Sequence, residues 1–296
     1  MSDKSQTTKQ HYVPVCYLAN FGTDGNKGRE STVYYLNIVN NKRGISGVES
    51  FPKEKGFYDV DALGEYKDAF EKMYTDLEGE LSKLLKRLIE LVVFDISKRT
   101  NETVMLSNIE KSALSAQLSM QFTRTRAFRD WMKGNYTRLK DGLSKFNLPE
   151  GTIPEYGADD FRRLHMRFLS SFRSQTFFAN MFEDRNWIFL VNHTDVPFVT
   201  SDNPIVMIDK DPSDKTPQSA ASLKYVYYCP ITPQMALLLL DKSLLKEDLG
   251  YYDIYDNELV LSHNYQMLTH CTRFLFSNAD FNTIQGFVGE KNEQIG

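Results

Sequence analysis

Phe198-Val199-Thr200-Ser201-Asp202-Asn203-Pro204-Ile205-Val206 sets two short apolar runs on either side of a hinge of small polar residues. Runs of Phe, Val and Ile fit a pleated, half-buried surface and read as strands. Asp202 and Asn203 carry side chains that bond nearby backbone. Pro204 fixes its own φ and biases Asn203 away from helix, so the chain must fold sharply here. Such a turn leaves a carboxylate, an amide and two hydroxyls at strand ends, where binding and catalytic sites are often built. The competing reading is that Asp202 and Asn203 only satisfy the backbone of the turn.

Around this hinge the β pattern repeats. Trp187 to Asn192, Pro197 to Thr200, Ile205 to Ile208, Tyr225 to Cys229 and Met235 to Leu240 are short runs parted by turn signals. Asn257 caps a last helix that carries His263, Asn264 and His270, and Arg273 to Ser277 reads as a closing strand. At the other end, His11 precedes a short helix with Pro14 in its first turn. Ser31 to Val39 and a weaker run to Val48 flank Asn40-Asn41 as a hairpin, and Gly56 to Val60 is a short strand or turn.

The middle is helical. Leu77, Leu81, Leu84, Leu85, Leu88 and Leu91 recur at helical spacing, with Glu78 and Glu80 near the expected start, where the macrodipole favours acids. Ser107 and Glu110 form a capping box that opens a helix to about Lys133. At 100° per residue, Glu110, Gln117, Gln121 and Arg124 fall in one narrow stripe. Ile109, Ala113, Ala116 and Met120 flank it on one side, Leu114, Leu118 and Phe122 on the other, while Ser112, Ser115, Ser119, Thr123 and Arg126 fill the opposite face. A polar row inside a buried sector must be bonded internally or line a wet pocket, since an unpaired buried amide costs about 1–3 kcal/mol. After a loop from Asn147 to Gly157, a helix capped by Asp159 or Asp160 puts Phe161, Leu164, Phe168, Leu169 and Phe172 on one face together with His165. A histidine there is more often a satisfied core residue than a ligand.

These readings predict an α+β protein. An N-terminal helix and hairpin in residues 1–65 and a β-rich segment over 184–296 form a largely antiparallel sheet. A helical segment over 66–183 makes a layer or subdomain, and the whole is one compact domain. With 41% hydrophobic and 13% aromatic residues among 296, the chain falls outside the disordered class. The polar start and the lack of eighteen consecutive apolar residues point to a cytoplasmic protein with no membrane partner. Cys16, Cys229 and Cys271 have neither disulfide-framework nor zinc spacing. Net charge is −4, yet residues 121–173 carry eleven Lys/Arg against six Asp/Glu, and 174–296 carry eight against sixteen. A basic middle suits a polyanion such as nucleic acid or a nucleotide, or is simply a solvated face. No phosphate loop, nucleophile elbow, kinase signature or repeat is present, which counts against the common nucleotide and esterase chemistries.

Four patches resemble an uncharacterised, mainly microbial family, domain of unknown function four-two-three-eight. They are His11-Tyr12-Val13-Pro14 with Tyr17-Leu18 and Asn20-Phe21; Gln121-x-x-Arg124-Thr125; Phe198 to Pro204; and Pro230-Ile231-Thr232-Pro233. Asn264 also looks like a family position. The resemblance nominates His11, Gln121, Arg124, Asp202, Asn203 and Asn264 as polar residues of interest. Family members usually carry Gln where this chain has Val15 and Arg where it has Ala19, so a site that uses them would be altered here.

Two functions follow as expectations. One is a metal-assisted hydrolase or nuclease of cellular-defence or toxin type, with His11 as base or ligand, Asp202 on a divalent metal such as Mg, and Arg124 clamping phosphate. Gln117, Gln121, Asn203 and Asn264 would bind substrate. The other is a non-catalytic sensor, ligand-binding or protein-interaction module in which the same residues form a structural network or hold a small ligand. The shortage of carboxylates weighs against a two-metal mechanism.

Overall fold

The computed structural model describes residues 9–51, 53–55, 67–98, 106–146, 148–149, 151–210, 213, 222, 225–244 and 250–284, with backbone alone at 9–11, 53–55, 67–75 and 94–98. The strand or turn expected at Gly56 to Val60 and the side chain of His11 lie outside the described residues. The N-terminal part runs through β1 (Lys9–His11), α1 (Val15–Leu18), β2 (Thr32–Asn37), β3 (Lys42–Gly47) and β4 (Lys53–Lys55). The β2–β3 hairpin forms as the sequence predicts, its turn closed by Asn41 at φ 53°, a left-handed conformation that Asn tolerates.

Five described helices follow: α2 (Lys67–Lys98), α3 (Asn108–Thr123), α4 (Arg126–Leu143), α5 (Ala158–Ser170) and α6 (Phe172–Glu183). In α2 the buried Leu81, Leu85, Leu88 and Val92 recur at spacings of four, three and four, one stripe of the helix. The capping box is present: Glu110 N–H donates to Ser107 Oγ and Ser107 N–H to a Glu110 carboxylate oxygen. The single helix expected to Lys133 is instead two. Thr125 caps a new N-terminus by accepting from Phe128 N–H at 3.2 Å while donating to Phe122 O, so the chain turns at Arg124.

Two faces are also revised. Ser115, Ser119 and Thr123, expected opposite the core, are fully buried, because their small side chains let α6 pack close; Ser119 Oγ donates to Gln175 O at 3.1 Å. Phe172, expected on the apolar face of α5, is 85% exposed, since the chain breaks at Ser171, the N-cap of α6.

The remaining elements are β5 (Asn186–Asn192), β6 (Thr200–Ser201), β7 (Val206–Asp209), β8 (Tyr225–Thr232), β9 (Met235–Leu240), β10 (Tyr251–Ile254), α7 (Asn257–His270) and β11 (Phe274–Ser277). Asp256, one residue before the expected cap, accepts from Glu258 N–H and opens α7. A five-stranded sheet has the order β10-β5-β9-β8-β7, and a four-stranded sheet β3-β2-β11-β6 joins the N-terminal hairpin to the C-terminal strands. Every pairing in these two sheets is antiparallel except β10 with β5. The fold is therefore α+β, with two larger sheets in place of one. The Asp202–Pro204 hinge is where the chain changes sheets: β6 pairs with β11, and β7 pairs with β8.

β5 is buried along its whole length, and its alternation explains why. Trp187, Phe189 and Val191 join the core shared with the helices; Ile188 and Leu190 join the core shared with α7 and the four-stranded sheet. The five-stranded sheet is thus covered on both faces. Among the described residues no helix is long and apolar enough to cross a membrane.

Candidate functional site

The polar stripe of α3 is buried: Gln117 is 9%, Gln121 5% and Arg124 3% exposed. Gln121 Nε2 donates to Tyr12 O at 3.3 Å, and its Oε1 accepts from Arg124 Nε at 3.1 Å. Both terminal nitrogens of Arg124 reach Glu78 Oε1 at 3.4 Å. Beside them lies a crevice with room for about one water molecule, lined by Pro14, Leu77, Glu78, Leu81, Gln117, Met120, Gln121 and Arg124. The Gln117 amide forms one wall and has no hydrogen-bond partner among the described residues. Glu110, expected on the same stripe, is committed elsewhere: its bonds to Ser107 hold its carboxyl below the usual range, and it contacts Arg87 at 3.4 Å.

Glu78 enters the cluster for a reason the sequence does not display. The macrodipole accounts for an acid only in a first turn, and α2 begins at Lys67, so Glu78 lies well inside the helix. Its partner is Arg124, and the pair is partly shielded, with side-chain exposures of 26% and 4%.

Asp202, Asn203 and Asn264 gather in a second cluster. Asp202 is fully buried; its Oδ1 accepts from Thr272 N–H at 2.8 Å, and its Oδ2 from Thr272 Oγ1 at 2.6 Å and Phe274 N–H at 3.3 Å. Burial pushes its carboxyl up, against the pull of these donors. Asn203 donates from its backbone to Ser201 Oγ and from Nδ2 to His270 O, and its Oδ1 is buried without a partner among the described residues. Asn264 Oδ1 accepts from Val199 N–H at 2.9 Å while its Nδ2 donates to Pro197 O at 2.8 Å, so one amide stands in for a neighbouring strand. Together these bonds clasp the hinge to the end of α7 and the start of β11.

The N-terminal segment connects the four sequence patches. Tyr12 O takes the Gln121 amide; the buried Tyr17 hydroxyl donates to Pro230 O at 2.6 Å and lies 2.7 Å from Thr200 Oγ1. Tyr17 was not among the predicted site residues, because nothing in its local pattern marks a tyrosine with partners so far along the chain. Val15 and Ala19, the two departures from the family pattern, are both buried.

His165 takes a core role. Arg129 Nε donates to its Nδ1 at 3.1 Å, which leaves the proton on Nε2, donated to Thr123 O at 2.7 Å. Burial lowers its pKa to about 4, so it is neutral at pH 7. His263 and His270 each turn Nδ1 to a carbonyl of their own helix, Leu259 O and Gln266 O. Among the described residues no three His, Cys, Asp or Glu side chains are grouped to hold a metal ion.

No curated protein and no solved structure matches the chain. A family model does, over residues 9–281, and that span takes in the crevice, the hinge clasp and all four patches. The chain belongs to the family described as "Protein of unknown function (DUF4238)".

Proposed function

We propose that the protein is a ligand-recognition module, a sensor whose crevice beside Gln117 receives a small polar group. The observation that carries this reading is the Gln117 amide, nine-tenths buried, lining the crevice without a partner among the described residues. Water can reach this amide through the crevice, so a ligand group able to donate and accept there can take the place of that water. Gln121 and Arg124 are held rigid by Tyr12 O and Glu78, and this suits a recognition site that is formed before its ligand arrives. Two buried thiols of three, all free, go with a cytoplasmic setting.

The test is a thermal-shift screen of nucleotides, small amides and carboxylic acids against wild type and Gln117→Leu. One chemical class should raise the melting temperature of wild type and leave the variant unmoved. A shift of equal size in both proteins would remove Gln117 from the site.

A metal-assisted hydrolase or nuclease of defence type, acting on nucleic acid or a nucleotide with a divalent metal such as Mg, is the second reading. It is favoured by one relationship: His11 immediately precedes Tyr12, whose carbonyl binds Gln121 at the crevice. It asks Asp202 to give up three donors in order to bind a metal, which is why it ranks second. Mg-dependent cleavage of DNA, RNA or nucleotides by wild type, lost in His11→Ala, would reverse that order.

A further inference from the structure

Residues 161–180 contain four arginines and neither Asp nor Glu. All four arginines are exposed in the fold. On α5 the solvent side carries Arg162, Arg163 and Arg167, with the last two a helical turn apart. On α6 it carries Phe172, Arg173 and Phe177, and the two rings are 85% and 48% exposed. The opposite sides of both helices are fixed in the core by Phe161, Met166, Leu169, Phe178 and Phe182. Phe177 rests its ring against Phe178, 5.3 Å between centroids, yet stays half exposed, and Phe172 is exposed almost entirely; burying either ring further would be favourable, by up to about 1.5–3 kcal/mol.

We infer that this α5–α6 face binds single-stranded nucleic acid, its arginines on phosphates and Phe172 and Phe177 under unstacked bases. Guanidinium forks match phosphate oxygens in pairs, and an aromatic ring stacks on any base without reading its edge. The combination of a basic track with exposed aromatic rings is what a sequence-tolerant single-strand surface requires. Arg162 and Arg163 also lie 3.9 and 3.8 Å from Asp159 and Asp160, but these are exposed surface pairs that a phosphate can displace at little cost. A lipid surface fits less well, because a membrane-seated helix needs a continuous apolar face and this one offers two rings among four cations. The inference supplies a place for the nucleic acid of the second reading above, and stands without it, since binding needs no cleavage.

The experiment is fluorescence anisotropy of the full chain with labelled oligothymidylate of about 20 nucleotides, long enough to cover a single-strand site. Saturable binding is expected at about 50 mM salt, weakening about 50-fold by about 200 mM if four phosphates are engaged. Arg163→Glu with Arg167→Glu should flatten that salt dependence. Phe172→Ala should weaken binding about tenfold and leave the salt slope unchanged, because stacking releases no counterions. All three positions are exposed, so circular dichroism should show folded variants. Absence of binding at low salt, binding indifferent to salt, or full binding by the double arginine variant would each overturn the inference. So would capture by phosphatidylserine vesicles with none by the oligonucleotide, which would assign the face to lipid. Binding without nucleolytic activity leaves the inference intact and counts against the second reading alone.

Discussion

Tyr17 and Thr200, 183 residues apart, share a buried hydrogen bond of 2.7 Å between their hydroxyls. Tyr17 spends its single proton on Pro230 O, so Thr200 is the donor and Tyr17 accepts. This hydroxyl therefore ties α1 to β6 and to β8, that is, to both larger sheets at the point where the hinge passes between them. Tyr17→Phe keeps the ring and removes both bonds, leaving Thr200 Oγ1 without its acceptor and Pro230 O with only the weak Cys229 thiol contact at 3.8 Å. The expected loss is about 1–3 kcal/mol. Urea unfolding should show a lower midpoint with an unchanged slope; a midpoint equal to wild type would mean that other groups take over both partners.

Asp202 is held by three donors from Thr272 and Phe274. Asp202→Ala should therefore cost about 3 kcal/mol, and Asp202→Asn nearly as much, because whichever way its amide turns, the NH2 would meet an N–H donor that a carboxylate oxygen accepts. The consequence for function is practical. Loss of activity in either variant indicates chemistry only when it is assayed well below that variant's own melting temperature, measured in the same buffer. A melting temperature within a degree of wild type for Asp202→Ala would return Asp202 to the list of free, reactive acids.

What the sequence disclosed, and what it withheld, divides along chain distance. The Asp202-Asn203-Pro204 turn was legible because its causes are local: a fixed proline φ and side chains that bond nearby backbone. The stripe of Gln117, Gln121 and Arg124 was legible because helical periodicity alone brings those residues to one face. The break at Thr125 was not, since the helical pattern runs on past it and a single hydroxyl cap decides where the chain turns. Partners were hidden throughout: Glu78 finds Arg124 at a separation of 46 residues, and Asp202 finds Thr272 at 70. β10 left no signal either. It is four residues long, with Tyr252 and Asp253 exposed, and pairs in parallel with a strand some sixty positions earlier.

His165 gives the fold a dependence on pH. Its pKa falls from 6.5 to about 4, through burial first and the neighbouring Arg129 charge second, with its bond to Thr123 opposing. A base with a lowered folded-state pKa binds protons more weakly when folded than when unfolded, so acid favours unfolding. Its contribution is complete above about 6.5 and is lost as pH falls toward 4, a total of about 3 kcal/mol. The His165 ring proton should titrate in NMR with a midpoint near 4, and unfolding free energy should fall across the same window. A midpoint near 6.5 would show that the ring reaches water.

Gln117 and Gln121 provide the sharpest contrast, because they are alike in chemistry, burial and face and differ only in partners. Gln121 bridges Tyr12 O and Arg124 Nε. Gln121→Ala removes two buried hydrogen bonds, one of them to a guanidinium, and should cost about 2–3 kcal/mol. Gln117 gives no bond to the described chain, so Gln117→Ala removes an amide with little to lose, and its stability should stay within about 0.5 kcal/mol of wild type. A ligand reverses the ranking. Gln117→Ala should lose the thermal shift that the ligand produces in wild type, whereas Gln121→Ala, assayed while folded, should keep part of it through Arg124 and Glu78. Paired urea unfolding and ligand titration on the two variants reads both effects. If Gln117→Ala is as destabilised as Gln121→Ala, the stripe is one structural network and the crevice is only a packing gap.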